Sequence, residues 1–272
     1  MTIFEALAAG AARLAGGSET PRLDAELLMA EALGVERETL LLSRRDDDEP
    51  AVFQLLLDRR AAGEPVAYII GRRAFWTIDL TVGPGALIPR PDSETLIEAA
   101  LDHFGEAGPR SILDLGTGPG SLLLAALDQW PDARGLGVDS SPEALAMAAA
   151  NAQRLGLSAR ASFEQGDWAE GLDQRFDLIL CNPPYVEEGA DLPRDVRDWE
   201  PRSALFAGPD GLDDYRRLAP AIAPLLAENG IACIEFGAGQ EAAVSALFRK
   251  EGLKMRARND LAGRARCLIV AN

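Results

Sequence analysis

The sequence predicts an α/β protein, with a doubly wound, mostly parallel sheet of seven strands that follows a small helical bundle. Three observations predict this class. From residue 111 onward, apolar segments of strand length alternate with helical segments, which is typical of parallel sheets covered by helices on both faces. Residues 1–72 show only helical patterns. A glycine-rich turn joins the first strand of the alternating region to its helix, where α/β sheets bind ligands.

Three regions are predicted along the chain. Residues 1–72 form a helical domain, in which Thr2 and Glu5 fit a capping box at the first helix. Residues 73–93 are predicted to be a hairpin and a linker, because Phe75–Val82 alternates with period two and is followed by a proline-rich turn. Residues 94–272 contain the alternating strands and helices and form the ligand-binding domain.

The predicted strands of the sheet are Ser111–Leu115, Arg134–Asp139, Ala161–Gln165, Phe176–Cys181, Ile231–Phe236, Lys254–Asn259 and Arg266–Ala271. The last two form an antiparallel hairpin at one edge. Leu212–Glu228 is predicted to be a helix. The insertion Glu187–Gly211 is predicted to be a loop, and long ordered loops are often functional.

Composition limits the kinds of protein that this chain can be. Its 27 basic and 43 acidic residues give a formal net charge of −16, which should repel nucleic acid phosphates. A single histidine, His103, argues against a zinc site or a histidine triad, and we predict no metal. Three cysteines in strand-like contexts are interpreted as reduced packing residues, and no apolar run is long enough to span a membrane. We expect a monomeric, cytoplasmic protein.

A glycine-rich loop follows the first strand of the sheet and opens the next helix. It reads Asp114-Leu115-Gly116-Thr117-Gly118-Pro119-Gly120. Glycines let the backbone approach a ligand, and a helix N-terminus suits an anion. The candidate anions are a triphosphate, a dinucleotide pyrophosphate and the carboxylate of S-adenosylmethionine. The loop lacks the lysine of a triphosphate loop, and Asp114 would oppose a pyrophosphate but suit the positive charge of S-adenosylmethionine. We assign to cofactor binding Asp114, Gly116, Thr117, Gly118, Pro119 and Gly120.

The ends of the next two strands carry further candidate cofactor contacts. Asp139 ends the second strand, where its carboxylate can accept both hydroxyls of a ribose. A dinucleotide enzyme also needs an acid there, so Asp139 does not discriminate between the cofactors. Asp167 and Trp168 end the third strand. Asp167 can accept from the adenine amino group, and Trp168 can stack on the ring.

The motif Asn182-Pro183-Pro184-Tyr185 follows the strand Phe176–Cys181 and carries the predicted chemistry. Proline keeps the preceding residue extended, and neither proline has an N–H to donate. The Asn182 side-chain oxygen and the Pro183 carbonyl can therefore each accept one N–H of a planar amino group, over which Tyr185 packs. Fixed dipoles then stabilise the charge that develops on nitrogen during methyl transfer. We assign Asn182, Pro183 and Tyr185 to catalysis, Asn182 also to cofactor binding, and all four residues to substrate binding.

Six motifs occur in order along nearly the whole chain. They are Gly63–Gly71, Phe75-Trp76, Leu87–Glu94, Asp114–Gly120, Asn182–Tyr185 and Glu200–Leu212. Together they resemble the bacterial peptide chain release factor glutamine methyltransferases, the HemK/PrmC family. Ser93 departs from the family pattern because threonine is usual there, and Pro119 is a second departure, in the glycine loop.

The resemblance implies a Rossmann-like class I methyltransferase domain after a helical domain that recognises the substrate. It implies methyl transfer from S-adenosylmethionine to the glutamine amide of the Gly-Gly-Gln motif in peptide chain release factors, which modulates translation termination. Carried over, Gly116–Gly120, Asp139, Trp168 and Asn182 hold the cofactor, and Asn182–Tyr185 hold the glutamine. A relative that methylates a ribosomal protein glutamine shares Asn-Pro-Pro-Tyr, but residues 89–94 look more like the release-factor enzyme.

Two other functions remain open at this point. The same four residues can hold the amino group of adenine, which would make the chain a DNA or RNA methyltransferase. The acidic charge and the lack of a basic or aromatic recognition domain argue against that function. A binding protein with a relic cofactor fold is the third hypothesis, and the intact Asp114, Asp139 and Asn182 argue against it.

Overall fold

The computed structural model describes residues 1–44 and 46–272, and the chain forms two compact units. The first unit comprises Met1–Arg72 together with Leu192–Glu200. The second comprises Arg73–Asp191 and Pro201–Asn272. Leu192–Glu200 were predicted to belong to the C-terminal domain, but these residues pack with the helical unit.

The first unit is helical, and its helices, numbered in chain order, enclose a separate apolar core. They are α1 (Ile3–Leu14), α2 (Pro21–Leu33), α3 (Arg37–Ser43), α4 (Ala51–Ala61), α5 (Val66–Ile70) and α9 (Arg194–Trp199). The predicted capping box is present, because the Thr2 backbone N–H donates to Glu5 at 3.0 Å and the Glu5 N–H donates to the Thr2 hydroxyl at 3.3 Å. Leu7, Leu28 and Phe53 are fully buried in the core.

A buried arginine holds α9 in the helical unit. The Nε of Arg60 on α4 donates to the Asp24 carboxylate on α2 at 2.6 Å, and its Nη2 lies 3.1 Å from the Asp195 carboxylate on α9. The side chains of Arg60 and Asp24 are only 6% and 7% exposed. Arg60 also donates to the Glu64 carbonyl at 3.2 Å. The buried guanidinium of Arg60 is therefore paired with groups from three separate stretches of the chain.

The second unit contains a two-stranded hairpin and a seven-stranded sheet. The hairpin strands are β1 (Arg72–Phe75) and β2 (Ile78–Thr81), the first beginning at the last residue of the helical unit. The sheet strands are β3 (Ser111–Leu115), β4 (Arg134–Asp139), β5 (Ala161–Gln165), β6 (Phe176–Cys181), β7 (Leu226–Glu235), β8 (Lys254–Asn259) and β9 (Ala265–Ala271). Their order is β5-β4-β3-β6-β7-β9-β8, with β9 antiparallel to both neighbours and all other pairs parallel. The predicted fold class is confirmed.

Helices pack against this sheet and close its core. They are α6 (Glu94–Phe104), α7 (Ser121–Gln129), α8 (Pro142–Arg154), α10 (Asp213–Leu225) and α11 (Glu241–Lys250). Side chains from α10 and α11, including Tyr215, Ile222 and Phe248, are fully buried against β6 and β7. Within the described part of the chain, no helix is both long and apolar enough to cross a membrane.

Two predicted elements differ from the structure. The predicted helix Leu212–Glu228 ends at Leu225, and β7 begins at Leu226, which pairs with Phe176 on β6. Pro220 and Pro224 lie inside α10 and lack the N–H that a continuing helix needs, which weakens its final turns. The prediction of an entirely loop-like insertion is also wrong, because it contains α9 and a short 3-10 helix at Arg202–Ala204.

We expect Arg60→Ala to lower the free energy of unfolding of the helical unit by about 3–5 kcal/mol, because the buried Asp24 carboxylate loses its cationic partner and keeps only the hydroxyl donors Ser18 and Thr20. Urea unfolding followed by circular dichroism measures this loss. Arg13→Ala is the matched control, since Arg13 pairs with Asp58 where both side chains are about half exposed. That control should change stability by less than about 1 kcal/mol. Equal effects of the two substitutions would contradict this role of Arg60.

Candidate active site

The carboxyl ends of four parallel strands lie side by side at one edge of the sheet. Leu115 on β3 pairs with Val138 on β4 and with Cys181 on β6, and Asp139 pairs with Gln165 on β5. Because parallel strands end on the same side, the residues that follow them meet there. A cavity of about 270 Å³ opens at this edge.

This cavity brings together most of the predicted cofactor residues. Of the residues assigned from the sequence, Gly116, Gly118, Asp139, Asp167, Trp168, Asn182 and Pro184 line it. Asp114, Thr117, Pro119, Gly120, Pro183 and Tyr185 are not among its lining residues. Residues that the sequence analysis missed also line it, among them Leu87, Ser141, Ser203, Ala204, Asp214 and Arg217.

The glycine loop is held against the end of β4. The N–H groups of Gly116 and Thr117 both donate to the Val138 carbonyl, at 2.8 and 3.0 Å. Gly116 has a φ of 72°, and a Cβ there would lie 3.2 Å from the Trp168 ring. A side chain at this position is therefore strained and crowded, whereas glycine leaves the backbone open to a ligand.

Asp114 lies beneath the loop and organises it from inside. Its side-chain Oδ2 accepts from the Thr117 hydroxyl at 2.7 Å and from the Leu123 N–H at 3.2 Å. The residue is 1% exposed, and Oδ1 has no hydrogen-bond partner among the described residues. Burial raises the pKa of Asp114 to about 7. Direct contact between this carboxyl and a cofactor stays a prediction.

Asp139 is preorganised to accept hydrogen bonds in the cavity. Its Oδ2 accepts from the Gly118 N–H at 2.8 Å, and its Oδ1 accepts from the Ser141 N–H at 2.9 Å. The Ser141 hydroxyl caps α8 by accepting from the Ala144 N–H at 3.1 Å. Each carboxylate oxygen keeps a further lone pair, so two hydroxyl groups of one ligand can still bind Asp139.

Trp168 and Asp167 form one wall of the cavity together with α10. Trp168 has a positive φ of 54°, which is rare for a bulky residue, and its indole N–H donates to Asp214 at 3.1 Å. Asp167 already accepts from Arg217 at 2.5 Å in an exposed ion pair. The indole is therefore fixed as a flat apolar surface, while the carboxylate of Asp167 is shared with Arg217.

The Asn182–Tyr185 motif is held by side chains from distant parts of the chain. The Asn182 side-chain nitrogen donates to the Ser93 hydroxyl at 3.0 Å, which leaves the Asn182 oxygen available as an acceptor. The Tyr185 hydroxyl donates to Glu235 at 3.3 Å, and the Tyr185 carbonyl accepts from the Gln240 side chain at 3.0 Å. Each end of the motif is thus held by a side chain that is distant in the sequence.

Glu235 is the second buried acid at this edge of the sheet. It is 1% exposed, and burial raises its pKa to about 7, although hydrogen bonds from Ser93 and Tyr185 act in the opposite direction. Burial also raises the pKa of the Tyr185 phenol. Sequence reasoning missed Glu235, yet a signal existed, because an acid near the end of the apolar strand Ile231–Phe236 faces the same edge as Asn182.

The chain matches two family models and many known proteins. A model described as the PrmC N-terminal domain matches residues 5–71, and one described as a methyltransferase domain matches residues 109–246. The release factor glutamine methyltransferase of Rhodospirillum rubrum is 45% identical, covering 96% of this chain and 82% of that protein. The protein of the same name from Caulobacter vibrioides is 42% identical, covering 99% of this chain and 96% of that protein.

A solved structure shares the fold over about three quarters of this chain. The T. thermophilus 16S rRNA N2 G1207 methyltransferase in complex with AdoMet and guanosine gives a TM-score of 0.53 at 20% identity. The match covers 74% of this chain and 49% of that one. At this identity the likeness concerns the fold alone.

We expect Asp114→Asn to reduce the pH dependence of stability. The native pKa of Asp114 lies above its ordinary value of 3.8, so the native state favours the neutral acid. That contribution is present at low pH and is lost as the pH rises through about 7. As the pH rises from 5 to 8, the free energy of unfolding of the wild type should therefore fall relative to that of the variant. Urea unfolding across this range measures the shift, and parallel curves for the two proteins would contradict it.

Proposed function

Because the chain belongs to the release factor glutamine methyltransferase family, we propose that it methylates a glutamine side-chain amide in peptide chain release factors. The methyl donor is S-adenosylmethionine. The target is the glutamine of the Gly-Gly-Gln motif, and its methylation modulates translation termination. The enzyme acts as a monomer in the cytoplasm.

The observation that carries this proposal is the orientation of the Asn182 amide. The Asn182 side-chain nitrogen donates to Ser93, so the side-chain oxygen remains available to accept a hydrogen bond from the substrate. That oxygen accepts one N–H of the substrate amide, and the Pro183 carbonyl accepts the other. An amide nitrogen is a poor nucleophile because its lone pair is delocalised. Two fixed acceptors favour a tetrahedral nitrogen and stabilise the positive charge that it develops.

The residues around the cavity fit S-adenosylmethionine. Gly116 and Gly118 present backbone without a Cβ, Asp139 offers two carboxylate oxygens, and Trp168 offers a flat apolar face. An acidic site also suits a cation, as does the formal net charge of −16. When bound, the cofactor supplies an electrophilic methyl group. The protein contributes by holding the substrate amide in line and by excluding water with Pro184 and Tyr185.

The helical unit is proposed to recognise the body of the release factor. It matches the model described as the PrmC N-terminal domain, and its apolar core is its own. Leu42 on α3 and Val52 and Leu55 on α4 are large apolar side chains that remain exposed. Exposed apolar groups on a unit with its own core suit contact with a protein surface.

We expect Asn182→Ala to lower turnover by roughly 10²–10³, the range for removal of one preorganised polar group. Transfer of labelled methyl to release factor measures it, with duplex DNA and rRNA as alternative acceptors. Asp139→Ala is the contrast, because it should weaken cofactor binding more than it slows the bound-state reaction. Methylation of nucleic acid but not of release factor would favour the adenine amino-group alternative and reject the proposal.

We expect Leu55→Glu to raise the KM for intact release factor. Leu55 is 64% exposed, so the substitution places a charge on the apolar surface that is proposed to contact the release factor. Methylation of a short Gly-Gly-Gln peptide should keep its wild-type rate. Leu261→Glu is the matched control, since Leu261 is 96% exposed on the hairpin between β8 and β9. If Leu55→Glu slows both substrates equally, the helical unit does not act through this face.

A further inference from the structure

Glu235 lies directly behind the Asn182–Tyr185 motif. It is the last residue of β7, and the preceding Ile234 pairs with Cys181, the residue before Asn182. One of its oxygens accepts from the Tyr185 hydroxyl at 3.3 Å. A side-chain hydrogen bond from Ser93 also favours the charged form of Glu235. The Oε2 atom has no hydrogen-bond partner among the described residues. A buried acid in this position needs an explanation beyond packing.

We propose that Glu235 is a positioning residue for the methyl transfer, and that its carboxylate, acting through Ser93, fixes which end of the Asn182 amide faces the substrate. This proposal rests on the proposed function and deepens it. Glu235 is not among the residues that line the cavity. Its effect reaches the reacting nitrogen through two hydrogen bonds.

The direction of these hydrogen bonds carries the argument. A carboxylate can only accept, whereas a serine hydroxyl has a single proton to donate. When Ser93 gives that proton to Glu235, its oxygen is left only as an acceptor. Asn182 must then turn its nitrogen toward Ser93, as observed at 3.0 Å, and its oxygen away from it. Rotation of the amide by 180° would present NH2 to the NH2 of the substrate, and no hydrogen bond could form.

The same carboxylate also holds the aromatic end of the motif. Tyr185 donates to Glu235 through its hydroxyl and accepts from Gln240 through its carbonyl. Gln240 is itself fixed, because the Gly237 N–H donates to it at 3.0 Å. Loss of the Glu235 charge therefore affects Asn182 and Tyr185 together.

Among the titratable groups in this part of the site, Glu235 is the one that we expect to titrate near neutral pH. Burial raises the pKa values of the phenols of Tyr185 and Tyr215 and of the thiols of Cys181 and Cys267, so all four stay neutral. Two charged groups act directly on Glu235, namely Arg266 and Asp92, which pair with each other at 3.2 Å. Arg266 also lies 3.6 Å from Asp260, and Arg90 acts on Tyr185.

Protonation of Glu235 should release the Asn182 amide. The pKa of Glu235 is raised to about 7, so the carboxylate that orients Ser93 is present above this pH and is lost as the pH falls through it. A neutral acid can donate to Ser93, whose proton is then free to point at Asn182. Turnover should decline on the acid side of pH 7. Asp114 has a similar pKa but lies at the cofactor loop, so its protonation would change cofactor binding as well.

The test compares Glu235→Gln, Ser93→Ala and the double variant in the full-length protein. Each single variant should lower kcat by about tenfold or more at pH 8, with cofactor affinity near the wild-type value. The double variant should be little worse than the more severe single variant, because residues in one chain of hydrogen bonds are not additive. Glu235→Gln should also lose the fall in kcat below pH 7. Ser93→Thr keeps the hydroxyl and should recover most of the turnover that Ser93→Ala loses.

Asp177→Asn is the matched control. It also replaces a carboxylate by an amide, but Asp177 lies near the opposite end of β6, where it accepts from the Arg110 and Ser111 N–H groups. The Asp177→Asn variant should keep the wild-type kcat and the wild-type dependence of kcat on pH. Wild-type kcat in Glu235→Gln, an unchanged acid limb, or additive losses in the double variant would overturn the proposal.

A second measurement tests the proposal even if release factor is not the substrate. The side-chain NH2 of Asn182 can be observed by ¹⁵N NMR and identified by its absence in Asn182→Ala. Its chemical shifts should titrate near pH 7 in the wild type and should not titrate in Glu235→Gln. Absence of methyl transfer by the wild type would reject the proposed function, whereas a wild-type titration that persists in Glu235→Gln would reject the role of Glu235.

Discussion

The parallel register of the sheet is the constraint on which the site depends. Pairing between β4, β3, β6 and β7 places the ends of these strands along one edge. Asp139, Asn182 and Glu235 come to lie there because each ends or directly follows one of these strands. A shift of one residue in any pair would turn the side chains at its end to the opposite face. The geometry of the polar groups is thus set by backbone hydrogen bonds in an apolar core.

Two buried carboxyl groups make this edge electrostatically costly. Asp114 supports the glycine loop, and Glu235 supports the Asn182–Tyr185 motif, and burial raises the pKa of each to about 7. Each carboxyl accepts hydrogen bonds from groups that in turn shape the cavity. Burial of a neutral residue would cost less free energy. A carboxylate, however, can only accept hydrogen bonds, so each neighbouring group must act as the donor. Burial of these two carboxyl groups therefore lowers local stability but fixes the direction of the hydrogen bonds around the cavity.

The sequence predicted the elements whose signals are local. Apolar runs of strand length, the glycine loop and the Asn182–Tyr185 motif need only neighbouring residues to be recognised. The supports of that motif could not be found in this way, because Ser93 is 89 residues from Asn182 and Glu235 is 50 residues from Tyr185. Leu226 at the start of β7 pairs with Phe176, and Asp195 in Leu192–Glu200 pairs with Arg60. These are tertiary effects that override local propensity.

The location of Leu192–Glu200 in the helical unit has a consequence for how the chain folds. During synthesis from the N-terminus, Met1–Arg72 emerge first, but the partner of Arg60 on α9 is made only after β3 to β6. The helical unit therefore stays incomplete until more than half of the sheet has left the ribosome. The boundary of the helical unit therefore does not coincide with a single cut in the chain after Arg72. A transplanted residue 1–72 segment would carry Arg60 with one carboxylate partner missing.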